Sequence, residues 1–240
     1  SELEAELEAE LEAELEARRE QYKYYRDALL EFDPVDQDSF TIGELGNLYG
    51  GLSGKTKADF GDEGDPYVSF KEIFACPTVP SVTGGLVRVG SGENQNRIRR
   101  GDVLFTASSE SPDEVGMSSV VEREPERTTF LNSFAFGFRP LDPNLFDPRF
   151  ARHLFRSESV RRQIVGTASG VTRFNVSKDR FRRVRVPIPP LPDQTKIAER
   201  LDGFEALVSD LSVGLPAELA ARRKQYEYYR DKLLTFEEAT

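Results

Sequence analysis

Eleven cations of this 240-residue chain fall between Arg149 and Arg185, against two acids, Glu158 and Asp179. Arg149, Arg152, Arg156, Arg161 and Arg162 come first, in a stretch that reads as a helix over 148–165. Arg173, Lys178, Arg180, Arg182, Arg183 and Arg185 follow. Such a segment suits phosphate contact or a solvated basic face, and charge alone leaves both open. Within it, Gly166-Thr-Ala-Ser-Gly-Val-Thr-Arg-Phe-Asn-Val-Ser-Lys178 reads as a small-polar loop carrying Arg173, Asn175 and Lys178. These side chains can hydrogen-bond phosphates and base edges. A turn in which Asn and Ser bond their own backbone is the competing reading.

A second loop, Gly50-Gly-Leu-Ser-Gly-Lys-Thr56, invites comparison with a phosphate-binding loop. That motif needs glycine where Tyr49 stands, and residues 41–49 read as mixed and helix-like, so no triphosphate site is expected. The loop is read as flexible, with Lys55, Lys57 and backbone N–H groups available to a phosphate. Arg97, Arg99 and Arg100 are further phosphate candidates, and Asn94, Gln95 and Asn96 are candidate readers of base edges.

Nothing assembles an active site. No lysine has an acid two residues before it, so the common nuclease pairing is missing. An adenine-methylating Asn-Pro-Pro-aromatic motif and a glycine-rich cofactor fingerprint are also missing. His153 has no nucleophile partner and reads as a surface or packing residue. The acids around Glu110–Glu114 read as a solvated loop, and Asn175-Val-Ser177 as a sequon without meaning in a cytoplasmic chain. No catalytic residue, metal or cofactor is expected, and one cysteine with one histidine excludes a Cys/His zinc site and a disulfide framework.

The elements that must position these groups fall into three parts. Residues 1–32 hold eleven acids and four bases and open with a Leu-Glu-Ala-Glu repeat. Leu3, Leu7, Leu11 and Leu15 recur every fourth residue, a stripe that winds slowly around a helix and needs a partner. Residues 15–32 and 219–236 then match at thirteen of eighteen positions. One helical unit is therefore used twice, on either side of the middle. Leu15, Tyr22, Leu29, Leu201, Leu211, Leu219, Tyr226 and Leu233 join the leucine stripe as candidate dimer or partner-binding positions. Between the arms, short apolar runs alternate with Gly, Pro, Asn and Ser. Strands are expected near 101–107, 118–122, 134–139 and 182–188, and helices at 42–48 and 148–165. Asp147 with Pro148 marks the start of the second helix. Pro187-Ile-Pro-Pro-Leu-Pro192 reads as an extended linker, after which Asp193 is expected to cap a helix to about Leu211. Gly214 and Pro216 should interrupt the last arm. The organisation is thus 1–32 as one arm, 33–190 as an α/β globule and 191–240 as the second arm. No membrane span is present, and a cytoplasmic location is expected. The chain starts at Ser1 and its one methionine is Met117, so it is read as processed, truncated or engineered.

The chain resembles the specificity (S) subunit of type I restriction–modification enzymes. The resemblance rests on Tyr49-Gly-Gly-Leu-Ser-Gly-Lys-Thr-Lys-Ala-Asp-Phe60, Pro66-Tyr-Val-Ser69, Gly101-Asp-Val-Leu-Phe105, Asp113-Glu-Val-Gly116, Gly170-Val-Thr-Arg-Phe-Asn175 and Pro187-Ile-Pro-Pro-Leu-Pro-Asp-Gln194. The duplicated arm completes it. The resemblance implies a non-catalytic subunit that reads double-stranded DNA and recruits methyltransferase (M) subunits and, for cleavage, R subunits. Family members carry two target-recognition domains separated by long conserved helices, whereas a single such domain is present here. It further implies that the four-residue repeats set the distance between reading domains. Each repeat adds about 6 Å of helix. Duplicated arms suit a homodimer closed by coiled coils, which would read an interrupted palindrome. A coiled-coil scaffold or adaptor, binding an acidic protein through its basic face, is the alternative.

Overall fold

The computed structural model describes residues 2–31 and 39–208, together with 224, 228 and 232. In chain order the elements are α1 (Glu2–Leu29), β1 (Ser39–Thr41), α2 (Ile42–Leu45), β2 (Gly46–Gly50), β3 (Phe60–Gly61), β4 (Asp65–Val68), α3 (Phe70–Ala75), β5 (Gly85–Val87), β6 (Val103–Thr106) and β7 (Ser108–Ser109). They continue with β8 (Ser118–Val120), β9 (Phe130–Leu131), β10 (Ala135–Pro140), α4 (Pro148–Leu154), α5 (Glu158–Gly166), β11 (Ala168–Ser169), β12 (Phe174–Val176), α6 (Lys178–Phe181), β13 (Arg185–Pro187) and a helix, α7, over 191–208. Fold class is therefore mixed α/β. No helix among the described residues is long and apolar enough to cross a membrane.

Contacts group the chain into two units, 27–198 and 1–26 with 199–240. The larger unit is organised by an antiparallel sheet of order β2-β10-β6-β8. Side chains alternate across this sheet, and both faces are covered. On one face Phe105 and Phe136 stack at 5.4 Å between ring centroids. Phe181 meets these two rings edge-on at 4.8 and 5.0 Å, and Phe155 meets Phe105 at 5.4 Å. Each such buried phenylalanine contributes about 2–3 kcal/mol. On the other face Leu104 and Ala135 pack with Val68, Ile73, Ile98, Val121 and Leu131. Here a Cβ on Gly137 would lie 2.1 Å from the Tyr49 ring, so the close approach requires glycine. A second sheet, β3-β5-β4-β9, and a small one, β11-β12-β7, flank this core. β1 pairs antiparallel with β13, tying the start of this unit to its end.

Strands β6, β8, β10 and β13 fall where expected, the last shortened to Arg185–Pro187 because the chain turns at 182–183 in leaving α6. Three readings are corrected. The helix over 42–48 ends at Leu45, and Gly46–Gly50 instead pairs with β10. A strand thus does lead into the 50–56 loop, so the argument against a triphosphate site rests on Tyr49 alone. The 148–165 helix is two helices. Asp147 caps the first as expected, its side chain accepting the Arg149 N–H. The chain then turns at Ser157, whose extended backbone opens α5 and whose hydroxyl donates back to Leu154 O at 2.7 Å. This break lets Phe155 enter the core while the Asp27 carboxylate accepts the Glu158 N–H at 2.9 Å. Residues 166–178 are not a loop but the β11–β12 hairpin.

The proline-rich segment ends in a helix that starts at 191, so Asp193 lies inside its first turn and pairs with Lys196 rather than capping it. Buried Gln194 secures the junction. Its carbonyl accepts the Asp147 N–H at 2.8 Å, and its amide donates to Leu145 O and Pro189 O at 3.0 and 2.8 Å. In the smaller unit, Tyr25 and Phe204 stack with centroids 4.8 Å apart and planes 6° from parallel. Leu15, Tyr22 and Leu29 are half-buried on α1, and Leu201 is buried on α7. The side chains of Leu3, Leu7 and Leu11, and all of Leu211, Gly214, Pro216, Leu219, Tyr226 and Leu233, lie outside the described residues.

Candidate nucleic-acid interface

The register of the central sheet places Gly50, Thr106 and Ala135 at one end of β2, β6 and β10. The segments leaving that end carry most of the expected readers. The 50–56 loop is pinned from several sides. Gly51 donates to Ala135 O, Leu52 to Leu131 O, and a Cβ on Gly51 would sit 1.8 Å from Asn132 O. Gln95 grips Ser53 by two bonds, accepting its N–H at 3.1 Å and donating to its carbonyl at 2.8 Å. Asn96 donates to Gly50 O at 3.0 Å. The loop read as flexible is therefore held in place, and the amides of Gln95 and Asn96 hold it. Asn94 beside them is exposed.

Lys55 is corrected more strongly. Its side chain is 5% exposed, and its ammonium meets Glu93 at 2.6 Å and Arg88 O at 2.7 Å. With that hydrogen bond first among the causes, followed by the Gly90 N–H and Gln95, the Glu93 carboxyl falls from 4.5 to about 2. Lys55 thus closes the loop against 88–93 instead of offering its charge to phosphate. Lys57 stays exposed in a 3-10 turn at Lys57–Asp59.

Across the same end of the sheet, Ala107 donates to Phe134 O at 3.0 Å, and Val176 donates to Ala107 O at 2.9 Å. The β12 residue Asn175 stands opposite Ser108, and Arg173 Nε donates to Ser108 Oγ at 3.1 Å. Asn175 is exposed, its amide donating to Arg173 O. Exposed Lys178 begins α6 with its ammonium 5.7 Å from the Phe136 ring centroid, beside Gly50. The structure thus brings together the 50–53 loop, Gln95, Asn96, Arg173, Asn175 and Lys178.

Other candidates stand apart. Exposed Arg97 continues away from Asn96, and Arg99 and Arg100 reach the far end of the sheet. There the Arg99 N–H bonds Asp102, and Arg100 bonds Glu124 through its N–H and Glu122 O through Nε. Asp102 anchors that end: Tyr49 donates to it at 2.7 Å, and Arg139 grips it at 2.8 and 2.6 Å while also bonding Arg97 O. Burial, then the Asp102 charge, raises the Tyr49 hydroxyl well above its ordinary value, so it remains a donor.

The basic stretch over 148–166 turns mostly inward, so most of it is neither the phosphate-contacting nor the solvated face that its charge suggests. Arg156 donates to Ser118 O, Ile73 O and Phe74 O. Arg161 donates to Gly116 O at 2.6 Å, Val115 O at 2.8 Å and Asp113 O at 2.9 Å. Its desolvation lowers the guanidinium to about 10. Arg152 lies 3.6 Å from Glu122, and Arg149 pairs with Asp147 at 3.1 Å. Arg162 remains outward, paired on the surface with Glu158 at 2.9 Å.

Sequence reasoning missed Asn132 and Phe134. Asn132 is buried, its amide donates to Val68 O at 2.9 Å, and its side-chain carbonyl accepts the Phe134 N–H at 2.8 Å. Asn before Ser-Phe was available as an Asx-turn signal. It leaves Phe134 62% exposed between the two gathered loops.

The family model for the "Type I restriction modification DNA specificity domain" matches residues 34–221. The specificity subunit of the Escherichia coli type I restriction enzyme EcoR124I/EcoR124II is 30% identical over 223 residues, covering 91% of this chain and 53% of the relative. This chain spans about half the length of that relative. Its fold is similar to that of the HsdS subunit from Thermoanaerobacter tengcongensis, with TM-score 0.57 and 17% identity over 90% of this chain and 53% of the other. A chain from a structure of type I R-M complex assembly gives TM-score 0.66 with 18% identity, covering 96% of this chain and 55% of that one.

Proposed function

Because this chain belongs to the type I restriction–modification DNA specificity family, we propose that its globule, residues 33–190, reads one half of a bipartite site on double-stranded DNA. The observation that carries the reading is the gathering of exposed polar and basic groups at one end of the central sheet. Asn94, Arg173, Asn175 and Lys178 there surround loops whose backbones are fixed by Gln95, Asn96 and Asn132. Exposed cations supply sequence-independent affinity, while amides fixed on a rigid frame discriminate base edges. Lys57, Arg97, Arg99, Arg100 and Arg162, exposed cations outside that cluster, add to phosphate attraction. The chain acts by binding and carries no catalysis of its own.

The arms, 1–32 and 191–240, serve assembly. Two copies pair their duplicated arms as antiparallel coiled coils, placing two identical readers on an interrupted palindrome and presenting helical faces to M and then R subunits. The near-copy of residues 15–32 at 219–236 supports this reading. Enrichment of random duplex DNA by the full chain, with and without M subunits, tests it alongside mass measurement in solution. An interrupted palindrome and a dimeric mass are expected. Enrichment of no sequence overturns DNA reading, and a monomeric mass on a single half-site overturns the dimer.

A further inference from the structure

We propose that Phe134 is a specificity-determining residue that packs on the C5-methyl group of a thymine in the major groove. This rests on the DNA-reading function above and identifies one of its apolar contacts. Phe134 is the most exposed described phenylalanine, at 62%. Phe40 follows at 41%, whereas Phe105, Phe136, Phe138, Phe150, Phe155 and Phe181 are fully buried in the core.

The ring stands on a locked turn. The Phe134 N–H bonds the Asn132 side chain at 2.8 Å, and its carbonyl accepts the Ala107 N–H at 3.0 Å. Asn132 is itself fixed to Val68 O by its amide at 2.9 Å and its N–H at 3.1 Å. A side chain ordered in advance loses less freedom on binding. Phe134 also lies between the groups proposed to meet DNA. Gly51 abuts Asn132 on one side, and on the other Ala107 leads to Ser108, which meets Arg173 and Asn175.

The chemistry follows from the neighbours. Exposed amides such as Asn94 and Asn175 complement the N6 and N7 of adenine in the major groove. The methyl of the paired thymine lies in the same groove, and an aromatic ring is one of the apolar groups that recognise it. A neutral ring adds nothing to phosphate attraction, so Phe134 sets which sequence is held rather than how tightly DNA in general is held.

The full chain, Phe134→Ala and Phe134→Leu are each used to enrich duplexes from a random library, and thymines of the wild-type site are replaced one at a time by deoxyuridine. At one position, loss of the methyl should weaken wild-type binding about fivefold. The same replacement should leave Phe134→Ala unaffected, while Phe134→Leu keeps part of the effect. Affinity for random-sequence duplex and its salt dependence should match in all three. Equal losses in wild type and Phe134→Ala, or an alanine variant holding the same site with equal affinity, overturn the inference. So does a loss in Phe134→Ala accompanied by 2-aminopurine fluorescence that reports unstacking without methyl dependence. A wild-type chain that enriches no sequence overturns DNA reading itself, a result distinct from these.

Discussion

Replacing Arg161 with alanine separates a cation that builds the domain from one that binds a ligand. The guanidinium on α5 reaches three carbonyls, at 2.6 Å to Gly116, 2.8 Å to Val115 and 2.9 Å to Asp113. All three belong to the segment that precedes β8. A hydrogen bond from a charged donor is worth about 1.5–3 kcal/mol, and unpaired buried acceptors add to the loss. One donor group serves all three and Asp113 is exposed, so the losses do not add fully. A total of about 3 kcal/mol is the working magnitude. For a chain of this size that corresponds to a fall of roughly 6–12 °C in Tm. Arg161→Lys should recover only part of it, because one compact ammonium cannot span three carbonyls. Arg162→Ala, one position along, should leave Tm within about 1–2 °C, since its exposed i,i+4 pair with Glu158 is worth about 0.3–0.5 kcal/mol. The assay is urea and thermal unfolding, paired with DNA affinity measured across salt concentrations. Folded Arg161→Ala should keep the wild-type salt slope, whereas Arg162→Ala, which removes a proposed partner for phosphate, should lower it by about one. Wild-type unfolding of Arg161→Ala together with a slope reduced by one or more would refute the inward assignment.

The Lys55–Glu93 latch carries a pH signature. The Glu93 carboxyl is depressed from 4.5 to about 2, so its contribution is complete above 4.5 and lost as pH falls towards 2. Amide exchange at Ser53–Thr56 should accelerate across that window relative to the core, and Glu93→Gln should accelerate it already at neutral pH and remove the acid-dependent step; identical protection in wild type and variant would contradict the latch. Gln194→Ala leaves the Asp147 N–H, Leu145 O and Pro189 O without their partner. A loss of about 2–4 kcal/mol in urea unfolding is expected, and a change below about 0.5 kcal/mol would show that the junction does not depend on the amide.

Local signals were legible where local physics decides the outcome. The apolar runs at 103–106 and 135–140 became central strands because a sheet covered on both faces accepts apolar side chains at successive positions. Asp147-Pro148 opened a helix because a capping carboxylate and a fixed φ suit its first turn. The break at Phe155–Ser157 was hidden, because it follows from the demand of a distant aromatic core for the Phe155 ring. Strand β2 was hidden for a similar reason: its partner β10 lies about ninety residues away. The candidate interface was legible in residue type but not in role. Lys178 stands beside Gly50, and Arg173 and Asn175 meet Ser108, yet nothing near Gln95 in sequence announces that its amide is committed to Ser53.

The largest gap concerned arginine, and it bears on how the domain would hold DNA. Counting charges treated eleven cations between 149 and 185 as equivalent. In the fold, Arg149, Arg152, Arg156, Arg161 and Arg185 engage acids, carbonyls or the Ser39 hydroxyl. The guanidinium is suited to this work, since its planar fork satisfies several carbonyls at once and stays charged. The groups turned outward are Arg162, Arg173, Lys178, Arg180, Arg182 and Arg183, and all but Arg162 lie on the β11–β12 hairpin, α6 or the turn after it. The segment therefore offers six candidate phosphate partners rather than eleven, which would bound its share of the salt slope at about five. It also moves the expected phosphate-binding surface from the helical face over 148–166 to the hairpin and α6, the edge on which Asn175 and Lys178 stand. Charge reversal at Arg180, Arg182 and Arg183 should then weaken binding to every duplex alike, whereas substitutions at Asn94 or Asn175 should redistribute preference among sequences at nearly constant non-specific affinity. Affinity and selectivity changing together at both sets would mean that the basic hairpin edge and the amides do not act as separate parts of one reader.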